Sequence, residues 1–362
     1  MHYKKHENKG AVPMLHQAGK PELIKKMNIE LIYQTLIALG SATRGEIAEA
    51  THMSVTTVRS LLEELVTLGE IVESDLDASS GGRRPQRYIL SPNRNRVLVL
   101  YLEEDRLFFR VNKLNGEILE ENSVAIMPKS AEADAVRFAS KCKELWNVSA
   151  IGLGVPGVVE KSGFLVDNGW GRWTINDIGK QMQHALNLPM LLENDLNAVA
   201  LGFCRQYIHQ HPQYQMEQMN VAYIYLDRIC SGSGIIAGGK IVRGDKGFGG
   251  ELGYLPMGGG MTLDQAIASV ESSDDKAKYI AQAIAAVNCV VNPSLVVVSG
   301  NILKDCRIQL DQIRQHAQQQ IPQRMLPDIL YPDSFRNDYL TGLSYLTIQM
   351  LLPLLPIKDE PQ

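Results

Sequence analysis

Two stretches of this chain run through the same order of elements, and that repetition limits the possible folds more than any single motif. In the first, apolar Val97 to Leu102 reads as a strand, Glu103-Glu104-Asp105 interrupts it, and Leu107 to Val111 resumes. Asn115-Gly116 then supplies a hairpin turn, since both residues tolerate positive φ, and Glu117-Ile118-Leu119 returns as a third strand. A helical pattern over about 131–146 leads to the buried strand Ala150 to Gly154. The second stretch has Val221 to Leu226, a polar break, Gly234 to Ala237, the turn Gly238-Gly239 and Lys240-Ile241-Val242. A helix over about 274–291 follows and, past Asn292-Pro293, the strand Leu295 to Ser299. A unit that recurs whole predicts two related α/β lobes, with a cleft between them suited to a small ligand.

The residues ahead of this body have a different texture. Ile29 to Leu39 sets Leu31, Ile32, Leu36 and Ile37 at helical spacing and stops at Gly40. Thr43-Arg44-Gly45-Glu46 matches a capping box opening a second helix, with Ile47 and Ala50 as its buried face. Ser54 caps a third helix in which Val58, Leu61, Leu62 and Leu65 turn inward, leaving Val55, Thr56, Arg59 and Ser60 outside. In a helix-turn-helix this outer surface enters the major groove, where short polar groups, methyls and arginine meet base edges. Ile71-Val72-Glu73 and Arg87-Tyr88-Ile89-Leu90 read as the strands of a wing whose tip spans Asp77 to Arg84. There, Gly81-Gly82-Arg83-Arg84-Pro85 sets two cations on a backbone able to lie flat, suited to phosphates or a narrow minor groove. A solvated surface turn, behind an ordinary helical bundle, accounts for the same residues. The DNA-facing candidates are Arg44, Ser54, Val55, Thr56, Thr57, Arg59, Ser60, Arg83, Arg84 and Arg87.

A net charge of -4 gives no global attraction to nucleic acid, so contact must come from a local cluster, to which Lys20, Lys25 and Lys26 also belong. Glu63, Glu64, Glu70 and Glu73 are expected on a solvent face away from it. The five cysteines are odd in number, scattered and without Cys-x-x-Cys spacing, which suits a reducing compartment and supplies no zinc set. Met1 to Glu7 lacks an apolar segment, and Leu343 to Leu355 is too short and too interrupted to span a bilayer. It reads as a buried helix, and the expected location is the cytoplasm.

The motifs together resemble the ROK family, which covers repressors, open reading frames of unknown role and sugar kinases. Met27-Asn28 at the first helix and Gly82-Arg83-Arg84-Pro85 in the wing resemble the family's regulator head. Gly152-Leu153-Gly154-Val155-Pro156-Gly157, Glu193-Asn194-Asp195-Leu196-Asn197-Ala198, Arg243-Gly244 through Gly249-Gly250-Glu251-Leu252-Gly253, and Val296-Val297-Val298-Ser299-Gly300 resemble its body. The resemblance covers about residues 21–350. It implies an α/β chain: an N-terminal winged helix-turn-helix followed by a two-lobed, actin-like ATPase (RNase H-like) ROK domain. The expected limits are a flexible tail over 1–20, the winged helix over 21–91 and the body over 92–362. Lobe 1 takes about 92–200 with a C-terminal helix at about 335–355, and lobe 2 takes about 201–334.

The resemblance also shows where the family pattern breaks. Sugar-phosphorylating members carry Asp-x-Gly-x-Thr where this chain has Leu102-Glu103-Glu104-Asp105-Arg106, and a Gly-rich second phosphate loop where it has Arg228-Ile229-Cys230-Ser231-Gly232. Backbone N–H groups approach phosphate best where no Cβ intervenes, and three acids repel a polyphosphate, so ATP binding is expected to be lost. The family's Gly-His and Cys-x-Cys zinc cluster is replaced by Tyr254 and a loop without Cys or His, so no metal is expected. The resemblance places Asn194, Asp195, Glu251, Tyr254 and Asp264 at the sugar, Asp195 matching the kinase base. Carboxylates suit hydroxyl recognition. Asn194-Asp195 also fits an N-cap and Gly249-Gly250-Glu251 a structural turn, while Trp170 and Trp173 fit either sugar stacking or core packing.

The expected protein is a non-enzymatic, sugar-responsive repressor without cofactor, working as a homodimer or dimer of dimers on a double-stranded DNA operator and without membrane attachment. A sugar kinase with an attached DNA-binding domain and a ligand-independent DNA-binding dimer are the alternatives.

Overall fold

The computed structural model of the chain describes residues 21–74, 85–160, 163–167, 173–227 and 230–355. The described residues up to Leu90 form one compact unit and Ser91–Leu354 a second.

In the first unit α1 (Pro21–Leu39), β1 (Ala42–Thr43), α2 (Arg44–Thr51), α3 (Val55–Thr67), β2 (Ile71–Ser74) and β3 (Arg87–Leu90) follow in order. α1 starts earlier than its periodicity suggests. Pro21 occupies the first position, where a missing N–H is harmless, so Met27 and Asn28 lie inside the helix rather than at its start. Its buried stripe is Ile29, Ile32, Tyr33 and Leu36; Leu31, expected inward, is 40% exposed because it stands about 100° round the axis from Ile32. The capping box forms as expected: Thr43 Oγ1 accepts from the Glu46 N–H at 3.3 Å and Glu46 Oε2 from the Thr43 N–H at 2.7 Å. α2 buries Ala48 beside Ile47, and Ala50 faces out in its last turn, which corrects the expected face.

α3 turns Val58, Leu61, Leu62 and Leu65 inward as their spacing requires, each contributing roughly 1.5–3 kcal/mol by burial. β2 and β3 pair antiparallel with Ile71 opposite Leu90, and β1 joins the far edge of β3 as a strand the sequence did not announce. The acids are not segregated as expected. Glu70 is 3% exposed, turned back past Gly69 so that its N–H meets the Leu65 carbonyl at 3.0 Å. Glu63 pairs with Arg59 at 2.7 Å and Glu64 with Lys25 at 3.0 Å. The expected wing tip, Asp77 to Arg84, lies outside the described residues.

The second unit opens with β4 (Arg96–Glu103), β5 (Arg106–Asn112), β6 (Ile118–Ala125), α4 (Ala131–Trp146) and β7 (Val148–Val155). A small sheet of β8 (Val158–Glu160), β9 (Gly163–Asp167) and β10 (Trp173–Asn176) follows, then α5 (Ile178–Leu186), β11 (Met190–Asn194) and α6 (Asp195–Gln210). The second lobe comprises β12 (Val221–Tyr225), β13 (Gly232–Ala237), β14 (Lys240–Ile241), α7 (Leu263–Ala268), α8 (Ser273–Val291), β15 (Leu295–Ser299), α9 (Asn301–Asp305), α10 (Leu310–Gln318) and β16 (Asp328–Leu330). The chain returns through α11 (Phe335–Leu351).

Strand order is β6-β5-β4-β7-β11 in one main sheet and β14-β13-β12-β15-β16 in the other. In each, the first three strands are antiparallel and the last three parallel. The repetition in the sequence is therefore a repetition of topology. Each sheet gains a fifth strand, β11 or β16, that the sequence reading lacked, and β8–β10 were not anticipated.

α6 and α11 share one apolar core with both sheets: Val99, Tyr101 and Phe108 from one, Val221 and Tyr223 from the other, and Ala198, Leu201, Tyr339 and Leu343 from the helices. The two helices cross where a Cβ on Gly202 would stand 1.8 Å from the Asp338 carbonyl oxygen, and one on Gly342 1.8 Å from that of Ala198. The lobe division expected at 200/201 thus falls inside a helix that serves both lobes. No helix of the described residues is long and apolar enough to cross a membrane.

Candidate functional site

In the first unit, the start of α3 presents a continuous outer face. Ser54 Oγ accepts from the Thr57 N–H at 3.1 Å and lies 2.8 Å from Thr57 Oγ1, so these two hydroxyls secure the helix start. Val55, 56% exposed, and exposed Thr56, Arg59 and Ser60 make up the rest of the face, with Arg59 leaning on Glu63. Two further candidate cations, Arg44 and Arg87, are engaged within the unit. Arg44 Nε donates to the Tyr88 hydroxyl at 2.9 Å, with its guanidinium over the Tyr88 ring. Arg87 donates to Ser41 Oγ at 3.0 Å and the Ser41 carbonyl at 2.8 Å, and pairs with Glu46 at 3.1 Å, tying β3 to the start of α2. Arg83 and Arg84 lie outside the described residues.

In the second unit, the ligand candidates gather where α6 begins. Asn194 ends β11 and caps α6: its Oδ1 accepts from the Asn197 N–H at 2.9 Å, and its Nδ2 donates at 3.0 Å to both the Gly157 carbonyl and Asp195 Oδ1. Asp195 Oδ1 also takes the Leu196 N–H at 2.8 Å. Burial pushes the Asp195 carboxyl up to about 6. Glu251 opens a short helical turn, Leu252–Tyr254, and its carboxyl is pushed up to about 7 by burial first and then by Asp195 and Asp264. Asp264, in the first turn of α7, accepts from the Ser231 N–H at 3.2 Å; burial raises its pKa, and its Oδ1 is buried without a hydrogen-bond partner. Asp195, Glu251 and Asp264 therefore form one electrostatically coupled group. Tyr254 is 38% exposed, its ring tilted against Phe248 at 5.5 Å.

Several residues the sequence reading passed over belong to this cleft. Tyr225, at the end of β12, is pushed up to about 12 by burial and then by Asp227, Glu103, Asp195 and Cys230. Its phenol thus feels carboxylates from both lobes. An aromatic chain runs from it across the lobes: Tyr225 to Phe335 at 5.1 Å, Phe335 to Tyr339 at 6.0 Å, and Tyr339 stacked on Tyr101 at 4.3 Å. Tyr101 and Tyr225 each stand just ahead of a phosphate-loop stretch, and that position was the signal available in sequence. Of those stretches, β4 and β5 close on Glu103 opposite Arg106, whereas Arg228 and Ile229 lie outside the described residues, as does Trp170. A second overlooked element is Glu193, 3% exposed beneath Asn194 and paired with Arg243.

A separate cavity of 560 Å³ lies in lobe 1, lined by Leu102, Ser130, Leu153, Pro156, Phe164 and Asn176 among others, and none of the cleft carboxylates borders it. Among the described residues no three His, Cys, Asp or Glu side chains are grouped to hold a metal ion.

These features define a mixed α/β, sugar-kinase-like body with a carboxylate-bearing cleft. Residues 105–267 match the sequence profile of the ROK family. A putative xylose repressor of Caldicellulosiruptor sp. (strain Rt8B.4) is 28% identical over 251 residues, spanning 66% of this chain and 61% of that protein's length. Among solved structures, a ROK family transcriptional regulator described as a homolog of E. coli MLC superposes with a TM-score of 0.70 at 17% identity, covering 91% of this chain and 98% of that one. A ROK family glucokinase from Streptomyces griseus, solved with glucose and AMPPNP, gives a TM-score of 0.54 at 19% identity over 70% of this chain and 100% of its own. At such identities these two similarities establish the fold.

Proposed function

We propose that the chain is a DNA-binding transcriptional repressor that responds to a sugar or sugar derivative. Residues 21–91 act as a winged helix-turn-helix, α3 lying in the major groove with β2 and β3 as the wing. Residues 92–362 act as an actin-like sensing body, and a homodimer presents two heads to a two-fold operator. The single observation that carries this reading is the exposed α3 face, capped by Ser54 and built of Val55, Thr56, Arg59 and Ser60, in a chain continuing into a sugar-kinase-like body. The similarity to a putative xylose repressor supports it. The repressor does not hold ATP on this reading: Glu103, Glu104 and Asp105 stand where sugar-phosphorylating relatives carry a Gly-x-Thr turn, and like charge there disfavours a polyphosphate. Ligand in the cleft favours one lobe arrangement and so changes operator affinity by its differential affinity for the two.

Fluorescence anisotropy with DNA from the chain's own promoter region tests this directly. Salt-sensitive, sequence-selective binding that shifts with D-xylose or D-glucose is expected; binding equal on all sequences rejects it. One observation favours a kinase instead: Asp195 sits at the family's base position with a carboxyl near 6. Sugar-dependent ATP turnover in a coupled assay, abolished by Asp195→Asn, would establish that second reading.

A further inference from the structure

Glu193 is a carboxylate almost wholly withdrawn from water, and such a group needs partners on every side. Its Oε1 accepts from the Asn194 N–H at 3.0 Å and from Asn197 Nδ2 at 3.2 Å. Its Oε2 takes Nη2 of Arg243, which comes from the other lobe, two residues past β14, with a side chain 47% exposed. From Arg243 the chain runs as a glycine-rich loop to Glu251. The Gly249 N–H donates to the Arg243 carbonyl at 3.0 Å, and the Ser233 N–H and Oγ donate to the Gly250 carbonyl at 2.7 and 3.0 Å. Midway, Gly247 lies against β8, where a Cβ would stand 3.1 Å from the Val159 carbonyl oxygen. The loop thus leaves lobe 2, touches lobe 1 at β8 and β11, and delivers Glu251 back to the cleft.

We infer that Arg243 is a positioning residue for the cleft: its ion pair with Glu193 latches this loop to lobe 1 and sets the separation between Asp195 and Glu251. The inference rests on the reading of the cleft as the effector site. A guanidinium suits the task, being always charged and presenting a fixed fork to a carboxylate, and losing it leaves Glu193 buried and unmatched. Lysine restores the charge without the fork.

The full chain is compared with Arg243→Gln, Arg243→Lys and the double variant Glu193→Gln/Arg243→Gln, which leaves no stranded charge if the single variant fails to fold. Amide hydrogen exchange is read without ligand. Loss of the pair is expected to speed exchange about tenfold or more over 158–160, 193–197 and 243–251 while α8 and β15 keep their protection, and Lys to recover part of it. Calorimetric titration with D-xylose and D-glucose then reads affinity, expected to weaken about tenfold or more in Arg243→Gln and to recover in Arg243→Lys. Unchanged exchange in those three segments overturns the latch. Faster exchange with unchanged sugar affinity overturns the positioning role. A native chain that binds neither sugar rejects the sugar-sensor reading instead, with exchange still deciding whether the latch exists.

Discussion

Replacing Gly202 by Ala sets two effects of opposite sign against each other. Helix propensity favours Ala by about 1 kcal/mol inside a helix. Packing opposes it, since the new Cβ would lie 1.8 Å from the Asp338 carbonyl oxygen, 2.6 Å from its carbon and 2.8 Å from the Gly342 nitrogen. An ordinary C···O approach is about 3.3–3.6 Å, so α6 and α11 must part by roughly 1.5 Å. Every obstructing atom is backbone of the other helix, and no rotamer change relieves the clash. Overpacking of this kind costs about 1–3 kcal/mol and occasionally more, so the net change is a loss on the order of 1–2 kcal/mol. In a body of this size that lowers the melting temperature by about 2–8 °C. Gly45→Ala is the control: in α2, with only Thr43 Oγ1 at 3.9 Å from its Cβ, it has room and is expected to hold or gain stability. Differential scanning calorimetry of the three proteins decides. A Gly202→Ala body that melts at or above the parent temperature refutes the close crossing.

Further outcomes follow from the same geometry. Asp338 is 5% exposed with Oδ2 unpartnered, and burial, with Asp333 adding, pushes its carboxyl up to about 7. Because the folded pKa lies above the unfolded one, stability is full below about pH 4 and is lost as pH climbs to about 7; three units correspond to at most about 4 kcal/mol. Asp338→Asn should therefore be stabilised relative to the parent at pH 8 and not at pH 4, as urea denaturation at the two pH values will show. Arg59→Ala and Thr56→Ala should each weaken operator binding by about 1–3 kcal/mol in anisotropy titrations while leaving the thermal melt unchanged, both side chains being exposed. Asp195→Asn should cost about 1–1.5 kcal/mol of sugar affinity by calorimetry, the difference between a charge-assisted bond and a neutral one, while the Leu196 N–H keeps an acceptor.

What the sequence disclosed and what it hid divide along a physical line. Local rules were legible: the Thr43–Glu46 box, the Ser54 cap and the inward Val58, Leu61, Leu62 and Leu65 each depend on neighbours within a few residues. The repeated lobe was legible because strand, turn and helix signals recur in order. Facing was read less well in short helices, where Ala48 and Ala50 are both small and only tertiary packing selects one. β16 is a strand of three residues, too short for any alternation to show, and β11 was masked by the polar motif that ends it. Of the cleft, Asn194, Asp195, Glu251 and Asp264 were reached through resemblance and are brought together by the fold. The Glu193–Arg243 pair and the Tyr225–Phe335 and Tyr339–Tyr101 contacts join residues far apart in sequence, and no local pattern encodes such pairings.

The Asn194 amide has one consequence for selectivity. Its NH2 group has given both protons away, to Gly157 and Asp195, and the hydrogen bonds recorded on the Asp195 carboxylate fall on Oδ1. On the proposed reading of this cleft as the effector site, a visiting sugar meets lone pairs at this wall and is recognised by the protons it can donate. A deoxy or O-methyl analogue forfeits a bond there, and a keto oxygen sets lone pair against lone pair. The wall sorts guests by the direction of the hydrogen bond, a distinction that molecular outline alone does not make.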